Sequence, residues 1–552
     1  MSGVVGTAVS DRMKYGVKPS AVKTENLLHN IKATTGHNTP IALGNEVIFE
    51  IPSMGNGYYC DLGNSYFRFG IGVSLSTAAL AATRNIFPTE TLKFERGFES
   101  IFRRIQITDA SGNLLENLEH YNELYALQEI CTAPRLARDG IGYCNGEGFD
   151  NSMNNPASGG ANFNDGTVSN ALCTANRYSD RKGFFPDLGS IILTSNPFQQ
   201  KKLGVPNREA QNVSNNIIYY TFQISSAIFG GMSEKYIPMS AINGIRIVMA
   251  LENLVGSVMS LNSAVTSLDT VTITIKDPTY FLNMIRVDPT VDQQLISSAT
   301  GPDGMIRVHS QTWSTFSQSI AAGVSNFDYL IPIRVSSLKA IFFGFTRNYQ
   351  APGAGGLPAN NGVFNGTYGG QLPADGAIAN AVTYLTDAIA DTYINNMKSS
   401  WFMNNIGNYQ FFIDGRPSPA TPVLIKRNAQ YVAALGIDFN GTSDLFPSEA
   451  VAELARAWHV GHKTFDNIHM STMFSCAPKD YMMRNCIFGH EFESFSSKSS
   501  VIESGYNTLN ASIQLRLAFD GTSTYASNLR MYCLYDVFTV IDPQTGIIRT
   551  EF

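Results

Sequence analysis

Apolar residues recur at every second position through much of this chain, and that period constrains its fold more than any other feature. Val47, Phe49 and Ile51 form one such set, Val271, Ile273 and Ile275 another, and Ile513, Leu515, Leu517 and Phe519 a third, interleaved with Gln514, Arg516 and Ala518. A period of two sends successive side chains to opposite faces of a strand, so each set marks one buried face. The punctuation agrees. Asn-Gly occurs six times, starting at Asn56, Asn145, Asn243, Asn361, Asn365 and Asn440, and Asp-Gly six times, starting at Asp139, Asp165, Asp303, Asp375, Asp414 and Asp520. These pairs supply the positive φ angles of tight turns between antiparallel strands. Strands joined this way predict an all-β chain built from sandwiches or jelly rolls.

A chain of 552 residues is long enough for two large β domains. Only 15% of it is charged, while 44% is hydrophobic and 11% aromatic, against roughly 25% charged in an average soluble protein. Disorder is excluded, and much surface is expected to lie against other protein, as in an assembly subunit. The net charge of −6 and the lack of a long basic run argue against a polymer that coats nucleic acid. The first twenty residues lack a basic segment, an apolar core and a cleavage site in that order, so no secretory leader is expected. The most apolar stretch, 217–232, contains Gln223, Ser225 and Ser226 and reads as a buried strand, not a membrane helix. Seven widely spaced cysteines without a C-x-x-C pair fit buried thiols in a reducing compartment; a disulfide among Cys131, Cys144 and Cys173 is the alternative.

Residues 1–45 are polar and aperiodic. Arg12, Lys14, Lys18, Lys23 and Lys32 against Asp11 and Glu25 give them a charge of +3, and they read as an arm. Helical spacing is sparse: Leu118, Tyr121 and Tyr125 share a face, Val382, Leu385, Ile389 and Tyr393 another (a helix at about 380–396), and Val451, Leu454, Ala455 and Trp458 a third after Pro447 (about 447–460). Two stretches rich in Gly, Asn, Ser and Pro, at about 139–182 and 348–377, have no period and read as large insertion loops. The segment 283–305 is the best boundary between halves, which gives an arm, a first domain at 46–290 and a second at 291–552.

Four segments resemble a known family. Ile51 to Ser74 (IPSMGNGYYCDLGNSYFRFGIGVS) is similar to the opening of the first jelly roll in double jelly-roll major capsid proteins of icosahedral double-stranded DNA viruses, of the polinton-like virus, adintovirus and virophage type. Phe98 to Gln128 resembles their strand with paired arginines, Gly-containing turn and Tyr-Asn-x-Leu-Tyr helix. Asn408 to Leu424 is similar to their Tyr-x-Phe-x-Ile-x-Gly-Arg/Lys-x-x-Pro segment, with Ser418 where a Tyr is frequent, and Ser504 to Phe552 resembles the closing strands of the second jelly roll. The order and spacing of these matches span most of 46–552. The resemblance implies two tandem eight-stranded jelly rolls per chain and a hexon-like, pseudo-hexagonal homotrimer that tiles the virion shell. It also implies neighbouring capsomers, penton and minor or cement proteins as partners. The insertion loops would project outward, and the arm would pin neighbours or touch packaged DNA or an inner membrane. The host receptor has no readable code.

The residues offer no enzyme. His459, His462 and His469 with Cys476 and Cys486 lack an H-E-x-x-H pattern and read as ordinary surface or interface residues. No His-x-His with a later Glu and His marks a metal-dependent dioxygenase, and the run Gly353 to Gly356 lacks the Gly-Lys-Ser/Thr of a phosphate loop. Asp150 to Asp165 lacks the spaced Gly and closing Glu of a calcium loop. No catalytic residue, metal or cofactor is expected. Arg103 and Arg104, adjacent in a strand, are expected to point to opposite faces and serve an ion pair, not one basic patch. The sequons at Asn212, Asn365, Asn440 and Asn510 matter only in the secretory pathway. The rival reading is a jelly-roll lectin or glycoside hydrolase, whose mark is an aromatic-lined cleft. A penton, usually one jelly roll in a pentamer, fits the paired halves less well.

Overall fold

The computed structural model describes residues 24–37, 39–75, 91–94, 98–132, 217–228, 236–253, 259–262, 271–346, 401, 404–425, 448–461, 486–493, 505–523 and 526–551. The first half contains β1 (Glu25–Lys32), β2 (Ile41–Ala42), β3 (Glu46–Pro52), β4 (Tyr58–Leu75), β5 (Thr91–Phe94), β6 (Phe102–Asp109), β7 (Leu114–Glu119), α1 (Tyr121–Thr132), β8 (Ile217–Phe222), β9 (Ile237–Pro238), β10 (Gly244–Leu251), β11 (Met259–Asn262) and β12 (Val271–Arg286). Helix α2 (Pro289–Ala299) leads into the second half. There follow β13 (Ile306–Ile320), β14 (Asn326–Ile331), β15 (Leu338–Thr346), β16 (Ile406–Ile413), β17 (Arg416–Leu424), α3 (Ser448–Gly461), β18 (Ile487–Glu491), β19 (Ile513–Phe519), β20 (Ser527–Ile541) and β21 (Ile548–Glu551).

The two halves repeat one topology. In the first, one sheet runs β1-β12-β4-β8 and its partner β3-β10-β6-β7; in the second, the sheets run β13-β20-β15-β18 and β14-β19-β16-β17. Setting aside the short strands β2, β5, β9, β11 and β21, each half shows eight strands among the described residues, in the order 1-8-3-6 on one sheet and 2-7-4-5 on the other. Every pairing is antiparallel, as hairpin chemistry requires. Each Asn-Gly or Asp-Gly glycine among the described residues (Gly57, Gly244, Gly304, Gly415 and Gly521) has a positive φ. At Gly57 a Cβ would also stand 2.5 Å from the Val287 carbonyl oxygen, so the turn before β4 accepts no side chain there.

Alternation builds both cores. Val47, Phe49, Ile51, Ile273 and Ile275 are buried in the first sandwich, where Phe49, Phe67, Phe69, Phe98, Phe102 and Phe222 form a continuous set of edge-on and tilted rings. Ile513, Leu515, Leu517 and Phe519 are buried in the second, beside Phe343, Tyr409, Phe411 and Phe488. Strand β15 is buried at all nine positions, because both its faces are covered. Phe343 faces Tyr409 and Phe488 inside the sandwich, whereas Phe342 packs on Trp458 of α3 and on Trp313. Helix α3 presents Leu454, Ala455 and Trp458 on one buried face, and Gly489 leaves room for Leu454.

Four expectations change. Glu25–Lys32, read as arm, is strand β1, paired along its length with β12; its polar sequence reflects an outermost strand with nearly every side chain exposed. Leu118 lies on β7 instead of the helix, which begins at Tyr121 after His120 takes a positive φ. Helix α2 occupies the interdomain boundary, where only a break was expected. Arg103 and Arg104 do not point to opposite faces. Ala250 pairs with Arg104 and Leu251 with Phe102, so Arg103 is the extra residue of a β-bulge. Phe102 and Ile105 both point into the core, and the two arginines between them lie on the outer side. In chain order the stretch 139–182 falls between the fifth and sixth described strands of its half and 348–377 between the third and fourth. Both loops and the helix expected at 380–396 lie outside the described residues.

Candidate functional site

The first functional feature is the seam that makes two sandwiches one body. Strand β7 ends its sheet in the first half and β13 ends its sheet in the second; the two edges lie together. The Thr315 hydroxyl donates to the Glu119 carbonyl at 3.1 Å. Glu116 of β7 is buried and accepts hydrogen bonds from the Ala227 N–H at 2.9 Å and from the hydroxyls of Ser226 and, across the seam, Thr312. Burial pushes its carboxyl above the ordinary value, and those donors offset only part of the rise. Beside it, Glu123 of α1 accepts from Arg530 Nε at 2.9 Å and from the Tyr532 hydroxyl at 3.3 Å, both on β20. Farther along, Asn243 donates its backbone N–H to Gly546 and its amide to the Thr545 carbonyl. Gly546 has a positive φ, and a Cβ there would strike the Asn243 side chain at 2.3 Å. Connector α2 is tied down as well: Asp292, itself buried, accepts from the Gly57 N–H at 2.8 Å and the Tyr59 hydroxyl at 2.7 Å. A seam of satisfied, directional bonds fixes one relative orientation of the sandwiches.

The second feature is a group of charged side chains buried in the second half, on the face of its sheet that carries Trp313 and not on the face turned to the sandwich interior. Lys339 Nζ lies 2.8 Å from Glu493 Oε1 and 3.2 Å from Asp536 Oδ2, and all three side chains are at most 1% exposed. Asp536 also receives the Ser337 hydroxyl at 2.5 Å and Gln311 Nε2 at 3.3 Å, and its Oδ1 lies 3.2 Å from His309 Nε2. Burial alone would raise the Asp536 carboxyl; hydrogen bonding from His309, the Lys339 charge and the Ser337 hydroxyl outweigh it and hold the group below its ordinary value. This cluster was not among the residues singled out from sequence. A signal was present: Lys339 interrupts the apolar run from Leu338 to Phe345, and Asp536 the run from Met531 to Ile541. A charged residue in a buried run is either paired or strained.

The residues singled out from sequence do not converge. His462, His469 and Cys476 lie outside the described residues, as do Cys144, Cys173, Asn212, Asn365, Asn440, Asp150 to Asp165 and Gly353 to Gly356. His459 is in the last turn of α3, and Cys486 is buried just before β18. Among the described residues no group of three His, Cys, Asp or Glu is arranged to hold a metal ion, and no helix is long and apolar enough to cross a membrane. Cys60 and Cys533 are buried, and burial pushes the Cys60 thiol up to about 12, far from reactive thiolate. Arg104 pairs with Glu46 at 3.1 Å and approaches Glu119 at 3.9 Å within its own sheet. Asn510 is exposed in the turn before β19. A groove beside β2 and β3 is lined by Thr34, Thr35, Gly36, His37, Pro40 and Glu46 among others, with no Phe, Tyr or Trp.

Comparison with solved structures decides the fold. Over 97% of this chain and 99% of the other, the chain superposes on the capsid protein of a quasi-atomic model of the PBCV-1 virus capsid with a TM-score of 0.51 at 9% identity. It matches the structure of the Sputnik virophage with a TM-score of 0.50 at 10% identity, over 99% of this chain and 93% of that one. Both are double jelly-roll major capsid proteins. The fold is a double jelly roll. No protein-family model matches the sequence, and no curated protein does. At such identity the double jelly roll is held by pattern and topology rather than by particular residues, consistent with a sequence resemblance that rested on order and spacing.

Proposed function

We propose that this chain is the major capsid protein of an icosahedral double-stranded DNA virus, forming homotrimeric, pseudo-hexagonal capsomers that tile the virion shell. One observation carries the reading: a single chain repeats the same eight-strand order twice and joins the copies edge to edge through a buried polar seam. Three such chains around a threefold axis present six similar sandwiches, and a closed cyclic trimer covers sheet edges that would otherwise invite open-ended pairing. The role is assembly, not catalysis.

The edges left open in one chain fit that use. Strand β17 is guarded by Pro417, Pro419 and Pro422, which cannot donate to an added strand. Strand β1 has no proline and exposes Leu27 and Leu28, and β14 exposes Leu330. Penton and cement proteins, neighbouring capsomers, and DNA or a membrane beneath the shell remain partners of this reading, with residues 1–23 as the arm that reaches them. A carbohydrate-binding protein is the weaker alternative; one groove, beside β2 and β3, carries no aromatic ring for a sugar to stack on.

Light scattering on the purified chain, over a range of concentration and salt, tests the proposal. A particle of three times 60.3 kDa that persists on dilution is expected, with sheets or shells in concentrated samples by electron microscopy. A monomer at all concentrations would overturn the homotrimer.

A further inference from the structure

We propose that Lys339 and Asp536 form an intramolecular isopeptide bond, with Glu493 as the proton carrier. The reaction needs an amine, a carboxyl acceptor, a second carboxylate to move protons, donors to polarise the acceptor, and exclusion of water. All five are present in one place. All three groups are buried, and the amine lies within 3.2 Å of both carboxylates. The acceptor is defined by its surroundings. Asp536 Oδ1 receives Gln311 Nε2 and lies 3.2 Å from His309 Nε2, so both face the oxygen on which charge develops during attack. Its other oxygen faces Lys339 and the Ser337 hydroxyl. Glu493 lies closer to Nζ than Asp536 does and is placed to take the ammonium protons.

The backbone aims these groups at one another. Leu338 pairs with Tyr535 and Ala340 with Leu534, so Lys339 is the extra residue of a β-bulge in β15 and joins the buried side chains beside it. Asp536 follows on β20, held by its N–H to the Ser337 carbonyl, and Gln311 lies directly opposite on β13. The Phe492 N–H bonds the Lys339 carbonyl and brings Glu493 alongside.

The step balances without an added reagent. Glu493 first relays one proton from the Lys339 ammonium to Asp536 Oδ2, which makes the acceptor a neutral carboxyl; the freed amine attacks Asp536 Cγ and forms the N–C bond. The second proton passes through Glu493 to Oδ2, which leaves as water as the C–O bond breaks. One ammonium and one carboxylate become one amide and one water, and Glu493 returns to its starting state. In a dry core this removes a buried charge pair, and the new amide N–H still has Glu493 to bond. The bond would join the third strand of the second sandwich to its last. It would close a covalent loop from 339 to 536 around the segments 347–400 and 426–447, so the chain could not be pulled open between those strands. This proposal does not depend on the capsid reading.

Intact mass spectrometry of the folded full-length protein, before and after assembly, tests it. The expected mass is one water below that of the sequence, with a branched peptide joining Lys339 to Asp536 after proteolysis. That mapping separates the cross-link from water loss at the Asp-Gly pairs. Glu493→Gln should slow cross-linking by roughly 100-fold or more while leaving the near-ultraviolet circular dichroism unchanged. A wild-type protein, folded and assembled, that keeps its full mass, or one that yields an ordinary linear Lys339 peptide in quantity, would overturn the proposal whatever the variant does.

Discussion

Single side chains at the seam set how firmly the two sandwiches hold together. Glu116 is raised above the ordinary carboxyl value of about 4.5 by burial, so the folded protein keeps this proton over a window in which the unfolded chain has lost it. Its contribution to stability is complete below that ordinary value and fades as pH rises through the folded one. Glu116→Gln keeps an oxygen to accept from Ala227 and Thr312, turns its NH2 group to the Ser226 hydroxyl, and has no proton to lose. Thermal melts from mildly acidic to neutral pH should show a shallower decline in the variant, and identical slopes would mean that Glu116 does not titrate in this range. Arg530 acts differently: it is the cation opposite a buried Glu123. Arg530→Met leaves that carboxylate buried without its charge partner, which costs about 3–5 kcal/mol. The exposed pair Arg516–Asp328, by contrast, is worth about 0.2–1 kcal/mol. Urea denaturation of Arg530→Met and Arg516→Met side by side checks the contrast. Neither seam residue was legible in the sequence, because partners such as Glu116 and Thr312 lie 196 positions apart and no local period links them.

Strands were more legible than what covers them. Period-two sets located β3, β12 and β19 because one face of each is buried and the other is not. The rule loses its grip where both faces are covered, as in β15, and where neither is, as in β1. It also cannot foresee a bulge, which is why Arg103 and Arg104 share a side. Helix α3 was readable from its apolar stripe, whereas its seat was not: that seat depends on Gly489 in the strand beneath, and a second glycine, Gly344, makes room for Trp401. At Gly344 a Cβ would stand 2.5 Å from the Trp401 ring and 3.1 Å from the Cys486 carbonyl oxygen. At Gly489 it would meet Phe342 at 3.0 Å and Leu454 at 3.1 Å. A fixed ring yields less readily than a leucine tip. Gly344→Ala should therefore cost about 1–3 kcal/mol and Gly489→Ala less. Trp458→Ala, which empties the space between Trp313 and Phe342, should cost about 3–5 kcal/mol. Chemical denaturation of the three variants would rank them, and a Gly489 variant weaker than Gly344→Ala would place the tighter contact under α3.

At the scale of the whole molecule, joining two sandwiches through β7 and β13 removes one edge from each and leaves others for neighbours. Of these, β1 is the least protected. Among the described residues its ladder partner is β12, along one side, and Leu28 is 55% exposed and Leu27 36%. A charge on an exposed side chain of a lone chain changes stability by less than about 0.5 kcal/mol. The same charge placed in a subunit interface must lose its water on assembly, which costs several kcal/mol without a partner. The two situations therefore separate cleanly in one variant. If β1 lies between subunits, Leu28→Asp will melt as the wild type does at high dilution and yet scatter light as a 60.3 kDa monomer at concentrations where the wild type is trimeric. Should the variant instead remain a trimer with an unchanged melt, β1 faces solvent in the capsomer, and the contacts that close the ring must come from edges such as β14, where Leu330→Asp would be the decisive substitution.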